Sequence, residues 1–196
     1  MISYKKALQI LKKGRIEFKS EIILSKNSVN RISTNNLNSP NNYPSANNTA
    51  FDGFAINSKE TNSINKNNII KFRILKILAA GDNPLIKKIP KYSAIEVMTG
   101  AVIQKPFDTI IPIEKVKYFP NKNNPKYILI DRKIKKNNFI RFAGSDYKRG
   151  ERVINKGQKI QPGHILAFKT LGIEKIKVKK KPKIVFYTTG NEISNS

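Results

Sequence analysis

The chain has 196 residues, 39% of them hydrophobic and 26% charged, which is enough apolar material for a packed core in one domain or two. It contains no cysteine, so disulfides, thiolate metal sites and a catalytic thiol are excluded. Against 13 Asp and Glu stand 38 Lys and Arg, a net charge of +25, but the lysines are scattered through polar segments such as Lys133 to Lys136 and do not collect on one recognition face. No specific nucleic-acid partner is expected, only weak attraction to polyanions at low salt. The start, Met1-Ile2-Ser3-Tyr4-Lys5-Lys6, leads into an amphipathic pattern and not an unbroken apolar run, and no stretch has the length of a bilayer span. Neither a signal peptide nor a membrane partner is expected, and a cytoplasmic enzyme is the default.

Ser3 can cap a first helix whose apolar stripe is Ala7, Leu8, Ile10 and Leu11, with Gly14 available to close it. Glu17 to Leu24 reads as extended, Asn27 to Arg31 as a turn, and Ile32 to Leu37 as a further extended stretch before the Ser39-Pro40 break. From Ala55 to about Phe139 the apolar runs are short and strand-like: Ile69 to Leu78, Ala94 to Met98, Thr109 to Ile113 and Tyr127 to Ile130, separated by Gly-, Pro- and Asn-rich turns. Glu151 to Ile160 is a further β segment. Pro162 then opens a helix that Gly172 closes, and Ile173 to Val178 returns as a strand. After Pro182, Ile184-Val185-Phe186-Tyr187 is a β-branched and aromatic run of the kind found in a strand buried on both faces. Such a strand needs neighbours, and so few residues follow it that the sequence reads as part of a longer protein.

The fold class expected is therefore α+β, mainly β. Residues 45–140 form an inserted β-rich domain, residues 1–44 and 141–180 a discontinuous β/α domain around it in an elongated arrangement, and residues 181–196 the start of an α/β domain.

Four segments carry candidate chemistry. Phe51-Asp52-Gly53-Phe54 places a carboxylate in a small-residue loop before a strand, and it is equally a hairpin signal, since Asp-Gly suits a tight turn with positive φ. Met98-Thr99-Gly100-Ala101 is either an ordinary strand-to-turn exit or a hydroxyl presented at a site. Arg141 and Asp146 flank Ala143-Gly144-Ser145, as a structural ion pair or as site residues. Thr188-Thr189-Gly190-Asn191-Glu192 follows the last strand, where open α/β sheets place their ligands. His164, the only histidine, is read as exposed and without function.

Pro44, the run Asn48-Thr49-Ala50-Phe51-Asp52-Gly53-Phe54-Ala55, Met98 to Ala101, Gly144-Ser145-Asp146 and Thr189-Gly190-Asn191-Glu192 occur in an order and spacing that resembles the N-terminal part of the molybdopterin molybdenumtransferase family, the MoeA and gephyrin E-domain proteins. The resemblance covers essentially the whole chain but less than half of the usual family length. It departs at Ala46 and Asn47, where the family has an aromatic residue and an Asp, at Val102, Gln104, Pro106 and Asp108, where prolines and Gly-x-Asp are usual, at Ser145 in place of Glu and at Asn191 in place of Asp.

The resemblance implies molybdenum insertion into adenylylated molybdopterin, with Mg²⁺-dependent adenylate hydrolysis, in molybdenum cofactor biosynthesis. Molybdate and adenylylated molybdopterin would be the substrates, and small oxyanions would be drawn to any cleft lined by the excess charge. Asp52 and Glu192 become the metal-holding carboxylates, Thr99 a substrate-site hydroxyl, and Asp146 a supporting site residue, while Arg141, Thr189 and Gly190 become cofactor-binding. Residues 181–196 would begin a molybdopterin-binding-like domain. A homodimer is implied, with a molybdopterin adenylyltransferase as the upstream partner. Three readings stay open: an N-terminal piece of that enzyme, which alone would be inactive, a non-catalytic dimerisation or scaffold module derived from it, or an unrelated basic RNA-associated protein.

Overall fold

A computed structural model describes residues 2–14, 17–65 and 68–186. The chain is mainly β, with two α-helices among the described residues. It divides into two compact units, one of residues 1–38 and 152–196, the other of residues 39–151.

In the first unit, helix α1 spans Tyr4–Lys13. Ser3 caps it by accepting the Lys6 amide at 3.3 Å, and Gly14 ends it by donating to Ile10 and Leu11 carbonyls without adopting a left-handed φ. None of its residues is buried. Strand β1 (Ser20–Leu24) and the late strand Lys175–Lys179 form an antiparallel ladder from Ser20↔Lys179 to Leu24↔Lys175. The sequence Lys-Ile-Lys-Val-Lys has the period of two that turns Ile176 and Val178 inward and leaves the lysines in water. Strand β2 (Leu37–Asn38) pairs with Arg152–Ile154. Helix α2 spans Pro162–Thr170 and buries Ala167 and Phe168 in the core of this unit, whose other buried members include Ile154, Ile160 and Leu171.

Two expectations for this unit are corrected. His164 is half-buried: its Nδ1 accepts the Gln161 amide at 2.9 Å, closing the first turn of α2, and its ring stacks on Phe168. Ile184, Val185 and Phe186 form no strand and are 68%, 67% and 89% exposed, because no described strand offers them a ladder. Tyr187 and the residues after it lie outside the described residues.

The second unit holds β3 (Asn48–Thr49), β4 (Gly53–Ile56), β5 (Ile70–Leu78), β6 (Ser93–Val97), β7 (Thr109–Pro112), β8 (Lys117–Phe119), β9 (Tyr127–Ile130) and β10 (Ile140–Arg141). Six of these make one curled mixed sheet in the order β7-β4-β6-β5-β9-β8, antiparallel except for β5 against β6. Both faces are apolar. Phe54, Ile56, Phe72, Ile111 and Ile128 pack on one, and Ala55, Ile95, Val97, Phe107 and Ile110 on the other, following the strand alternation. No described helix is long and apolar enough to cross a membrane.

Gly53 determines how β7 meets β4. A Cβ at this position would lie 2.1 Å from the Ile111 carbonyl oxygen, so only glycine lets the two backbones pair there. Its φ is not positive, which corrects the hairpin-turn reading of Asp52-Gly53: the glycine is the first residue of a strand and is required for close approach, not for a left-handed turn. Gly53→Ala should therefore destabilise the protein at the upper end of the roughly 1–3 kcal/mol that overpacking costs. Gly163→Ala, inside α2 and with nothing within 4 Å of the added methyl, should stabilise it by roughly 0.5–1 kcal/mol. Urea unfolding of the two variants checks both signs.

Candidate functional site

The loop that carries Asp52 is held from three sides by backbone hydrogen bonds. Asn48 and Thr49 pair with Arg141 and Ile140 through β3 and β10. The buried Thr49 donates its amide to the Ala101 carbonyl at 3.0 Å and accepts the Gly100 amide at 2.9 Å. Its hydroxyl donates to the Phe51 carbonyl and accepts the Phe51 amide at 3.2 Å, closing the turn that presents Asp52. Ala50 donates to Phe139, and the Asp52 carbonyl accepts the Ile113 amide at 3.1 Å. Phe51 sits edge-on to Phe139 with ring centroids 4.8 Å apart.

The register Gly53↔Val97 runs the chain outward from β4 beside the exit of β6, which brings Asp52 to Thr99. Asp52 Oδ1 accepts both the Thr99 amide at 2.6 Å and the Thr99 hydroxyl at 2.7 Å. Gly100 follows with φ +87°, a conformation that turns the chain back toward Thr49 and that residues with a Cβ rarely adopt. The Thr99 side-chain hydrogen bond, and then its backbone hydrogen bond, hold the Asp52 carboxyl below its ordinary value of 3.8. Asp52 Oδ2 accepts no hydrogen bond from a described residue. The result is an exposed, ionised carboxylate with one oxygen anchored and the other open.

Arg141 and Asp146 form an ion pair in which each side chain is about two-fifths exposed. Ser145 donates its hydroxyl to Asp146 Oδ1 at 3.2 Å, the Asp146 amide donates to the Tyr43 carbonyl at 3.0 Å, and the Arg141 guanidinium lies 5.7 Å from the Tyr43 ring centroid. An exposed pair of this kind contributes about 0–1 kcal/mol and fixes the turn after β10. Asn47 stands where the resembled family has an Asp. Its Oδ1 accepts the Ala143 amide at 2.9 Å and its carbonyl accepts the Ile103 amide at 3.0 Å, so it ties the 98–103 and 140–144 segments to the loop.

The structure thus joins Asp52 directly to Thr99, and Arg141 directly to Asp146. Thr189, Gly190 and Glu192 lie outside the described residues. The residue that sequence reasoning undervalued is Thr49, whose signal was a Ser/Thr two positions before an apolar residue in a loop. Among the described residues no group of three or more His, Cys, Asp or Glu could hold a metal ion. An all-protein cage is therefore not formed by these residues, yet the open Oδ2 of Asp52 suits Mg²⁺, which takes one or two carboxylates and completes its shell with water and phosphate oxygens.

The family model described as the MoeA N-terminal region (domain I and II) matches residues 2–172 of this chain. A molybdopterin molybdenumtransferase of Staphylococcus epidermidis is 29% identical over 192 residues, which are 98% of this chain and 44% of that protein. The protein of the same name from Bacillus subtilis is 24% identical over 176 residues, 90% of this chain and 40% of the relative. The chain thus spans less than half the length of these relatives. Two crystal structures of molybdopterin biosynthesis MoeA proteins from Pyrococcus horikoshii superpose with TM-scores of 0.79 and 0.78 at 23% and 29% identity. Each covers 93% of this chain, which corresponds to 45% and 47% of those chains.

Because Asp52 is held down by Thr99, Thr99→Val should move the Asp52 pKa up toward its ordinary 3.8 while the backbone amide of residue 99 still donates. A depressed carboxylate contributes stability that is present above the unfolded pKa and is lost as pH falls through the folded one. The variant should therefore lose less stability than the parent as pH falls below the ordinary carboxylate value, and its loss should be complete at a higher pH. Carbon-13 NMR titration of the Asp52 carboxyl checks the direction, and an unmoved pKa would detach Thr99 from the site.

Proposed function

Since this chain belongs to the MoeA N-terminal family, we propose that it is the N-terminal portion of a molybdenum-inserting enzyme, acting on molybdate and adenylylated molybdopterin in molybdenum cofactor biosynthesis. The observation that carries the proposal is the ionised Asp52 carboxylate, anchored by Thr99 on one oxygen and open on the other, at the position that matches the family's carboxylate loop.

In this reading Asp52 holds a Mg²⁺ ion, and Glu192 is assigned a metal-holding role by the family resemblance alone. When bound, that ion neutralises charge on the adenylate phosphates and so assists their cleavage. Asp52 supplies a fixed negative charge and an oxygen ligand. Thr99 positions it: its hydroxyl proton is donated to Asp52, so the same hydroxyl would have to release that bond to serve a substrate oxyanion. Asn47 and Thr49 keep the loop from relaxing toward solvent, and Asp146 with Arg141 supports the neighbouring turn. Thr189 and Gly190, after the 184–187 run, are assigned to binding the pterin substrate by the same resemblance. The reactant-gripping residues would come largely from chain beyond this portion, so the 196 residues alone should not turn over.

We place the enzyme in the cytoplasm as a homodimer. Exposed apolar side chains in the first unit, among them Leu11 at 72% and Ile22 at 68%, are surface that a second copy would cover. The reaction that supplies the substrate is an adenylyl transfer to molybdopterin.

Asp52→Asn is the test of the site. Asparagine offers a carbonyl oxygen to both Thr99 donors, so the loop should keep its shape and the melting temperature should stay unchanged. Loss of the charge should reduce Mg²⁺-dependent AMP release by the complete enzyme by on the order of 10² or more. An unaltered rate would return Asp52 to a purely structural role. Sedimentation of the complete enzyme in high salt, where diffuse charge effects are screened, should give a dimer, and a strict monomer would remove that part of the proposal.

A further inference from the structure

The second unit contains a cleft of about 450 Å³ that Asp52 and Thr99 do not line. Its polar lining is Lys59, Lys105, Lys136, Asn47, Asn57, Asn137 and Asp108. Of the side-chain acceptors in this set, all but Asn137 Oδ1 are already engaged within the fold. Asp108 accepts the Ser58 amide on Oδ1 at 2.7 Å and the Ser58 hydroxyl on Oδ2 at 3.0 Å. Asn57 Oδ1 accepts the Lys59 amide at 3.2 Å, and Asn47 Oδ1 accepts the Ala143 amide at 2.9 Å.

Apart from Asn137 Oδ1, what remains is donors. Engaging the two asparagine oxygens leaves their NH₂ groups for other partners. The ammonium groups of Lys59, Lys105 and Lys136 make no ion pair or hydrogen bond with any described residue. Three cations against one carboxylate whose oxygens are occupied give a concave site of net positive charge, which raises the local concentration of anions. The wall adds a second requirement. Phe107 and Ile103 line it, and Phe142, 44% exposed, stands at it as an accessible aromatic ring. A bare inorganic oxyanion would leave that wall and most of the volume unused, whereas pockets of this size bury organic ligands.

We propose that this cleft binds a phosphorylated organic ligand of mononucleotide size, its phosphates on Lys59, Lys105 and Lys136 and its ring against Phe142. No free carboxylate lines the cleft, so binding needs no divalent cation and is separable from the Asp52 site.

The probe is ATP, titrated calorimetrically into the purified chain in EDTA at about 150 mM salt, where exposed charges more than about 8 Å apart are largely screened. Saturable one-to-one binding is expected, weakened about tenfold or more in the K105Q/K136Q double variant and retained in Asp52→Asn. Inorganic pyrophosphate should bind more weakly than ATP, and Phe142→Ala should erase that difference. In the unmodified chain, ATP should also protect Lys59, Lys105 and Lys136 from acetylation selectively over Lys122 and Lys175, a readout that needs no variant to fold. Absence of saturable binding, indifference to K105Q/K136Q, uniform protection of all lysines, or ATP binding no better than pyrophosphate would each overturn the proposal.

Discussion

The backbone contact between Gly53 and Ile111 is the constraint on which the site depends. With no Cβ at residue 53, β7 closes on one side of β4 while β6 pairs on the other, so β4 is enclosed and each of its residues is buried. Enclosure fixes register, because a slip by one residue would exchange Phe54 and Ile56 for Ala55 between two apolar faces packed with different neighbours. Register in turn decides what lies beyond the end of the strand. Gly53 opposite Val97 means that Asp52 leaves β4 as Met98 and Thr99 leave β6, and the carboxylate meets both donors of Thr99 without any further ordering. The chemistry of one exposed side chain is thus set by a steric fact of the buried sheet.

The strands were legible in the sequence where local composition decides them. Tyr127–Ile130 and Thr109–Pro112 follow from short β-branched runs between turns, and α2 from Pro162 at its first turn. Ser3 and Gly14 bound α1 for the same local reasons. Gly53 was misread because its requirement comes from Ile111, far along the chain, and nothing in Phe-Asp-Gly-Phe distinguishes a close backbone approach from a positive-φ turn. His164 was misread for a related reason: its acceptor role for the Gln161 amide appears only once the helix geometry brings N-cap and third residue together. The run at Ile184 shows the opposite limit, since a β-rich composition produces a strand only where a partner edge is in place.

For the site, the sequence pointed to Asp52 and Thr99 through separate motifs, and only the fold joins them. The sequence signalled a Thr49 turn only through its spacing to Phe51, and gave no hint that Asn47 serves by its amide oxygen the backbone that a carboxylate could have served. Hydrogen bonds to the main chain are insensitive to that exchange, because both side chains present an acceptor oxygen at the same distance from Cα.

The direction in which Asp52 is perturbed narrows what it can do. A general acid or base works best with a pKa near the operating pH, and carboxylates reach that range when burial penalises their charged form. Asp52 is moved the other way: it is fully exposed, and donors from Thr99 stabilise the anion. It therefore stays charged through the physiological range and is poorly suited to carry a proton through a catalytic cycle. A permanent anion with one oxygen fixed by short hydrogen bonds and one unengaged is suited instead to electrostatic work, holding a cation whose remaining coordination comes from water and phosphate. The sparse acidity of the surrounding chain sharpens this role, since with 13 carboxylates against 38 basic side chains there are few competing positions at which a hard cation could settle.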